Sequence, residues 1–291
     1  MHILENDLVS IKVHPKGAEL HSAFHKSTTT EFIWQADSNI WGRHAPVLFP
    51  IVGQVKGGEY RVNEERFELS QHGFARDREF EMISESSSEI VMRLKSDSKT
   101  LDKFPYEFEF YAIFSLVGNR LNIAYEVKNS GAQEMLFSIG MHPGFTCPFL
   151  PNTKFDEYQL VFSSPETSDR VLLDNGLRNG EIQEKFLSNE SVIQLSHGLF
   201  DDDAIILKNT KSESITLKHP GFDAYLSVGI KGFPYLGIWT KPKADAPFVC
   251  IEPWYGITDR NDASGEFKDR DGLQTLPPSK SFKCSYWIEV G

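Results

Sequence analysis

The sequence predicts an all-β protein built as one large antiparallel β-sandwich, and three observations carry that prediction. Between residues 106 and 127 apolar side chains recur at every second position. Short runs of β-formers separated by Gly, Asn, Pro and Ser repeat along the whole chain. Nowhere does helical periodicity hold over about twelve residues. Many short strands with turn signals between them are the pattern of a sandwich or barrel.

The clearest element is a hairpin. Tyr106, Phe108, Phe110, Ala112, Phe114 and Leu116 fall on one face, with Glu107, Glu109 and Ser115 on the other, where Tyr111 and Ile113 also lie. Gly118-Asn119 supplies turn chemistry, and Leu121, Ile123, Tyr125 and Val127 alternate again. Asn129-Ser130-Gly131 turns the chain once more, and 135–139 reads as a third strand. Earlier strands are expected near 8–13, 32–34, 59–62, 66–69, 79–83 and 90–94. Later ones are expected near 159–162, 204–207, 214–217, 224–228, 235–239, 248–251 and 282–289. With no Pro/Ser-rich linker, low-complexity tract or repeat, residues 1–291 read as a single domain.

Composition narrows the function classes. A formal net charge of −11 argues against a nucleic-acid partner, which calls for a basic patch. Three widely spaced cysteines without a CxxC suggest reduced thiols in a cytoplasmic protein. MHILENDLVSIKV lacks the features of a secretory signal, and no run of about 18 apolar residues predicts a membrane span. The nine histidines are scattered, with no HExxH or Cys/His cluster, so no metal is expected. His21 and His25 would face one another only on a helix, which the segment does not resemble. No Walker loop, GxGxxG or GxSxG is present, and no cofactor is expected.

Four segments could carry chemistry: Gln71-His72-Gly73-Phe74-Ala75-Arg76, Gly140-Met141-His142-Pro143-Gly144-Phe145, Asp201-Asp202-Asp203, and Ile251-Glu252-Pro253-Trp254-Tyr255-Gly256. Pro143 pushes His142 into an extended conformation, so its imidazole is offered from a stiff backbone, either as a turn cap or as an acid–base group. Glu252 follows a buried apolar run, and desolvation would make it a stronger base; a structural ion pair is the alternative. His72 with Arg76 and Arg78 nearby suits sugar hydroxyls or a phosphate, and equally a self-packed polar loop. On an extended strand Arg76 and Arg78 would share a face. Asp203 reads as a loop residue unless a site recruits it. Trp239 and Trp254 could offer faces to a sugar ring or fill the core.

Together these pieces resemble the aldose 1-epimerase (galactose mutarotase-like) family. The resemblance lies in FEFYAIFSLVGNRLNIAYEVKNSGAQEMLFSIGMHPGF, in IWT, in CIEPWYG and in DGLQTLPPSKSFKCSYWIEV, in that order. RHAPVLFP and QHGFAR depart from the better-known galactose mutarotases and are closer to a divergent LacX-type branch; QHGFAR is also similar to hexose-6-phosphate mutarotases. The resemblance implies a β-supersandwich with a sugar cleft, a histidine acid at His142 and a glutamate base at Glu252. It further implies substrate contacts from Arg43, His72 and Asp203, and the residue reading adds Arg76 and Trp239 as substrate-binding candidates. The implied reaction opens a cyclic hemiacetal and recloses it on the other face, with acid and base on opposite sides of the O–C–O unit. A neutral aldose is the expected substrate, a hexose 6-phosphate the alternative. Two rivals use the same residues differently: a non-catalytic sugar binder, and a glycoside hydrolase working through Glu252 and Asp203.

Overall fold

The computed structural model describes residues 1–291, and antiparallel pairing dominates it. One fifteen-stranded sheet starts at Val47–Leu48 and passes through Ile139–Met141, Phe248–Tyr255, Tyr235–Trp239 and Ile205–Lys208. It ends through Ser281–Val290, Arg120–Asn129, Phe108–Val117, Glu89–Lys95 and Glu81–Glu85. The sheet closes on itself as a sandwich. Phe49, beside its first strand, packs on Phe108 and Phe110 near its last, with ring centroids 5.0 and 4.9 Å apart. A four-stranded N-terminal sheet adds Leu4, Val9, Ile11 and Val13 to the same core of 66 buried residues. No helix is long and apolar enough to cross a membrane.

The expected hairpin forms. Phe108–Val117 pairs with Arg120–Asn129, with Phe108 opposite Asn129 and Val117 opposite Arg120. Phe108, Phe110, Ala112, Phe114, Leu121, Ile123, Tyr125 and Val127 all point inward. Each large apolar side chain contributes about 1.5–3 kcal/mol by burial, and a slip of one residue would send the whole set to solvent. That penalty sets the register.

Three expectations need correction. Residues 135–139 are two strands, not one. Met135–Phe137 pairs with Gln274–Leu276, while Ile139–Met141 joins the large sheet. Ser138 marks the switch, its Oγ accepting the Val52 N–H at 3.0 Å. At 32–34 there is only an isolated bridge from Ile33 to Phe145. The strand expected at 159–162 runs on through Gln159–Asp174 and pairs with Leu177–Gln194. This arm escapes a periodicity reading because it is largely solvent-exposed and interrupted by register shifts, so no apolar face alternates cleanly.

Candidate active site

Three neighbouring strands build the floor of a cleft. On Phe248–Tyr255, Val249 and Ile251 enter the main core, while Cys250, Glu252 and Trp254 take the opposite face. Their cross-strand partners are small where aromatic rings must lie flat. Gly140 and Gly237 flank this strand, opposite Trp254 and Glu252 respectively. A Cβ on Gly140 would come within 2.5 Å of the Trp254 ring, and one on Gly237 within 2.4 Å. Opposite Cys250, a Cβ on Gly144 would meet the Trp41 ring at 2.7 Å. The floor therefore needs glycine at these positions because indoles cover them.

His142 sits just before Gly144, beside Glu252. Its N–H bonds to Pro46 at 3.0 Å, and Trp41 stacks on the imidazole at 5.0 Å. His142 Nε2 and Glu252 Oε2 are 3.3 Å apart, both side chains at least nine-tenths buried. The contact is not aligned as a hydrogen bond: Glu252 Oε2, His142 Nδ1 and Trp254 Nε1 have no hydrogen-bond partner within the protein. The two groups stand side by side, not across an intervening space. Burial, aided by the charge of Arg76, pushes the imidazolium of His142 down to about 3. Burial drives the Glu252 carboxyl well above its usual range, reinforced by the charge of Asp203. Burial thus disfavours the charged form of both groups.

His72, Arg76, Asp203 and Trp239 join this pair around a cavity of about 420 Å³, a size typical of small-molecule sites. His72 has φ +68 and Gly73 φ +70. A Cβ on Gly73 would strike the Phe49 carbonyl at 2.3 Å, so glycine is required there. His72 Nδ1 accepts the Gly53 N–H at 3.2 Å, which leaves Nε2–H free to donate. Burial and the neighbouring His142 hold His72 well below its usual range, hence neutral. Asp203 is turned by φ +72, and Arg170 steadies that turn by donating to the Asp203 carbonyl at 2.9 Å.

Arg43 and Arg78 do not line the cavity. Arg43 Nη2 donates to Asp77 at 2.9 Å, and its charge reaches the cleft only as a further depressant of His72 and His142. Residues 75–77 form a 3₁₀ turn, not a strand, so Arg76 enters the cleft while Arg78 pairs with Asp97 outside it. The double-arginine rim allowed by strand geometry does not form.

Several lining residues escaped the sequence reading. Leu173, Asn175 and Gly176 reach the cleft from the tip of the long arm, opposite Gln54 and Thr258. Thr258 Oγ1 donates to the Gly176 carbonyl at 2.7 Å, and a Cβ on Gly176 would hit Gln54 at 2.4 Å. Asn175-Gly176 is itself a hairpin signal that could have located this tip. Glu19 supports the loop bearing Trp41. Its Oε1 accepts the N–H groups of His44 and Ala45 at 2.9 and 3.0 Å. Burial alone would raise Glu19, yet the contacts to His21 and to the His44 N–H leave it below its usual range.

His44 is pushed from 6.5 to about 4 by burial and then by His21. The unfolded chain therefore binds this proton first as pH falls, and the native state loses stability between about 6.5 and 4. His142 acts in the same direction to lower pH. We expect the thermal midpoint to drop across that window, and His44→Gln to flatten the upper part of the drop. An identical profile in the variant would remove His44 as a cause.

Comparison with known proteins agrees with this architecture. Protein LacX of Lactococcus lactis subsp. lactis, in its plasmid form, is 30% identical over 295 residues, 99% of this chain and 98% of that one. A galactose mutarotase related enzyme from Lactobacillus acidophilus superposes with a TM-score of 0.93 at 33% identity, covering 100% of this chain and 97% of the other. A galactose mutarotase-like protein from Lactobacillus casei gives 0.93 at 30% identity over the full length of both. Residues 1–270 match the sequence profile described as Aldose 1-epimerase. The chain belongs to the aldose 1-epimerase family.

Proposed function

We propose that this protein interconverts the α and β anomers of a free, neutral aldose, with His142 and Glu252 moving the protons. One observation carries the reading: Nε2 and Oε2 lie 3.3 Å apart on the floor of a cleft walled by indoles and hydrogen-bonding groups. The two oxygens that exchange protons in mutarotation sit on one carbon, so neighbouring groups can each address one. As sugar hydroxyls engage Glu252, its proton passes to His142 Nε2. Glu252 then takes the C1 hydroxyl proton, His142 protonates the ring oxygen, and the C1–ring-oxygen bond breaks to give the open aldehyde. Closure on the other face returns both protons, and the cycle has no net proton or electron requirement. No cofactor is needed. His72 Nε2–H and Arg76 offset negative charge on the sugar oxygens. Asp203 accepts from a hydroxyl, and Trp239 offers an apolar edge to the ring.

A neutral sugar suits the balance of charge. Arg76 is the one arginine on the cavity wall, and Asp203 stands in the same cavity. The test is polarimetry on fresh α-glucose and α-galactose beside the 6-phosphates. Accelerated approach to equilibrium separates an enzyme from a sugar binder. A preference for the phosphate above about tenfold, weakening with salt, would reverse the choice of substrate. His142→Asn should lower turnover by ~10²-fold or more with little change in thermal midpoint. Wild-type turnover in that variant would remove His142 as the acid.

A further inference from the structure

The face of the Phe248–Tyr255 strand that carries Glu252 also carries a thiol the proposed reaction does not use. We infer that His142, Cys250 and Glu252 form a latent site for one thiophilic divalent cation of the zinc or cadmium class, and that filling it stops mutarotation. The inhibition rests on the proposed function; the binding does not.

Three features support the assignment. The candidate ligand atoms all lie within 4.8 Å of one another, and His142 and Glu252 are already at 3.3 Å. Zinc–ligand bonds of about 2.0–2.3 Å place tetrahedral ligands roughly 3.5 Å apart, so a small side-chain rotation closes the set. Strand geometry gives the cluster its stiffness. Cys250 and Glu252 are i and i+2 on one buried strand, and the His142 segment is tied beside them by the Gly144–Cys250 pairing. The donors are chemically matched as well. Imidazole, carboxylate and thiolate all suit zinc, and the thiolate selects softer ions over magnesium or calcium. Because His142 and Glu252 line the cavity, a water from the cleft can take the fourth position.

A second cluster, Glu19, His21 and His44, meets the same distance limit but fails on direction. The His21 and His44 rings stack face to face, 3.8 Å apart and 15° from parallel. Their in-plane lone pairs run side by side and cannot converge on one ion.

Binding exchanges protons for metal. The Cys250 thiol proton passes to buffer as the metal–sulfur bond forms, and a proton on the ligating His142 nitrogen or Glu252 oxygen leaves with it. Sugar and metal then compete for the same two side chains.

The test titrates cadmium chloride into metal-stripped protein and follows the ultraviolet charge-transfer absorption of cadmium thiolate. One equivalent should saturate the signal in the wild type, Cys250→Ser should abolish it, and His142→Asn should weaken binding at least tenfold. No signal in folded wild type, or an undiminished one in Cys250→Ser, overturns the site. Should Cys250→Ser fail to fold by circular dichroism, unchanged cadmium affinity in His142→Asn overturns it instead. Zinc should slow mutarotation, and chelator or saturating sugar should restore it. A filled site with full turnover overturns the inhibition. A saturable cadmium signal in a protein inert toward every sugar keeps the site and rejects the mutarotase reading.

Discussion

Replacing Glu252 with glutamine is expected to lower mutarotation by at least ~10²-fold, and up to ~10⁴-fold, while the protein stays folded. The side chain is 2% exposed and touches His142 Nε2 at 3.3 Å. An amide of nearly the same shape fits that space, but it cannot take a proton from the C1 hydroxyl or exchange one with His142. Stability should hold, because burial already keeps this carboxyl above its usual range and an uncharged group replaces it. The thermal midpoint of Glu252→Gln should therefore equal or exceed that of the wild type. Polarimetry gives the rate and calorimetry the midpoint. A variant that turned over at the wild-type rate would show that another group is the base.

Arg270→Met is expected to cost about 3–5 kcal/mol of stability, because it breaks a buried ion pair and strands its partner. Arg270 is 4% exposed and pairs with Asp259, 7% exposed. It also donates to the carbonyls of Gln54 at 3.1 Å, Val52 at 3.2 Å and Ile257 at 3.3 Å. Methionine fills much of the volume but leaves the Asp259 carboxylate buried with only the Lys56 N–H, at 2.9 Å, to satisfy it. Val52 and Gln54 line the cleft, so looser carbonyls there should raise KM more than they lower kcat. Adding Asp259→Asn to Arg270→Met should recover a substantial part of the loss. Urea midpoints for both variants provide the check. A single variant within about 1 kcal/mol of wild type would mean that this ion pair is replaceable in place.

Sequence alone determined the elements whose side chains answer to one local rule. The hairpin over 106–127 was legible because inward residues recur with period two, and misregistering them would expose the whole apolar set. His142 and Glu252 were legible as candidates because an extended histidine before Pro143 and a carboxylate after a buried run are local signatures. Their companionship was not. Residues 110 positions apart become neighbours only when the His142 segment pairs beside the Phe248–Tyr255 strand, and no periodicity specifies that register. The same holds for Glu19, which acts through a loop 25 residues away, and for Asn175-Gly176, carried into the cleft by a polar arm. Arg76 and Arg78 show the reverse case. Alternation put them on one face, but a 3₁₀ turn at 75–77, tied to Phe49 by the Phe74 and Ala75 N–H groups, sent them apart. Local patterning decides which side of a strand a residue faces. Long-range strand pairing decides what it meets there, because each partner is chosen by the summed burial of the whole sheet and not by the residue's own neighbours in sequence.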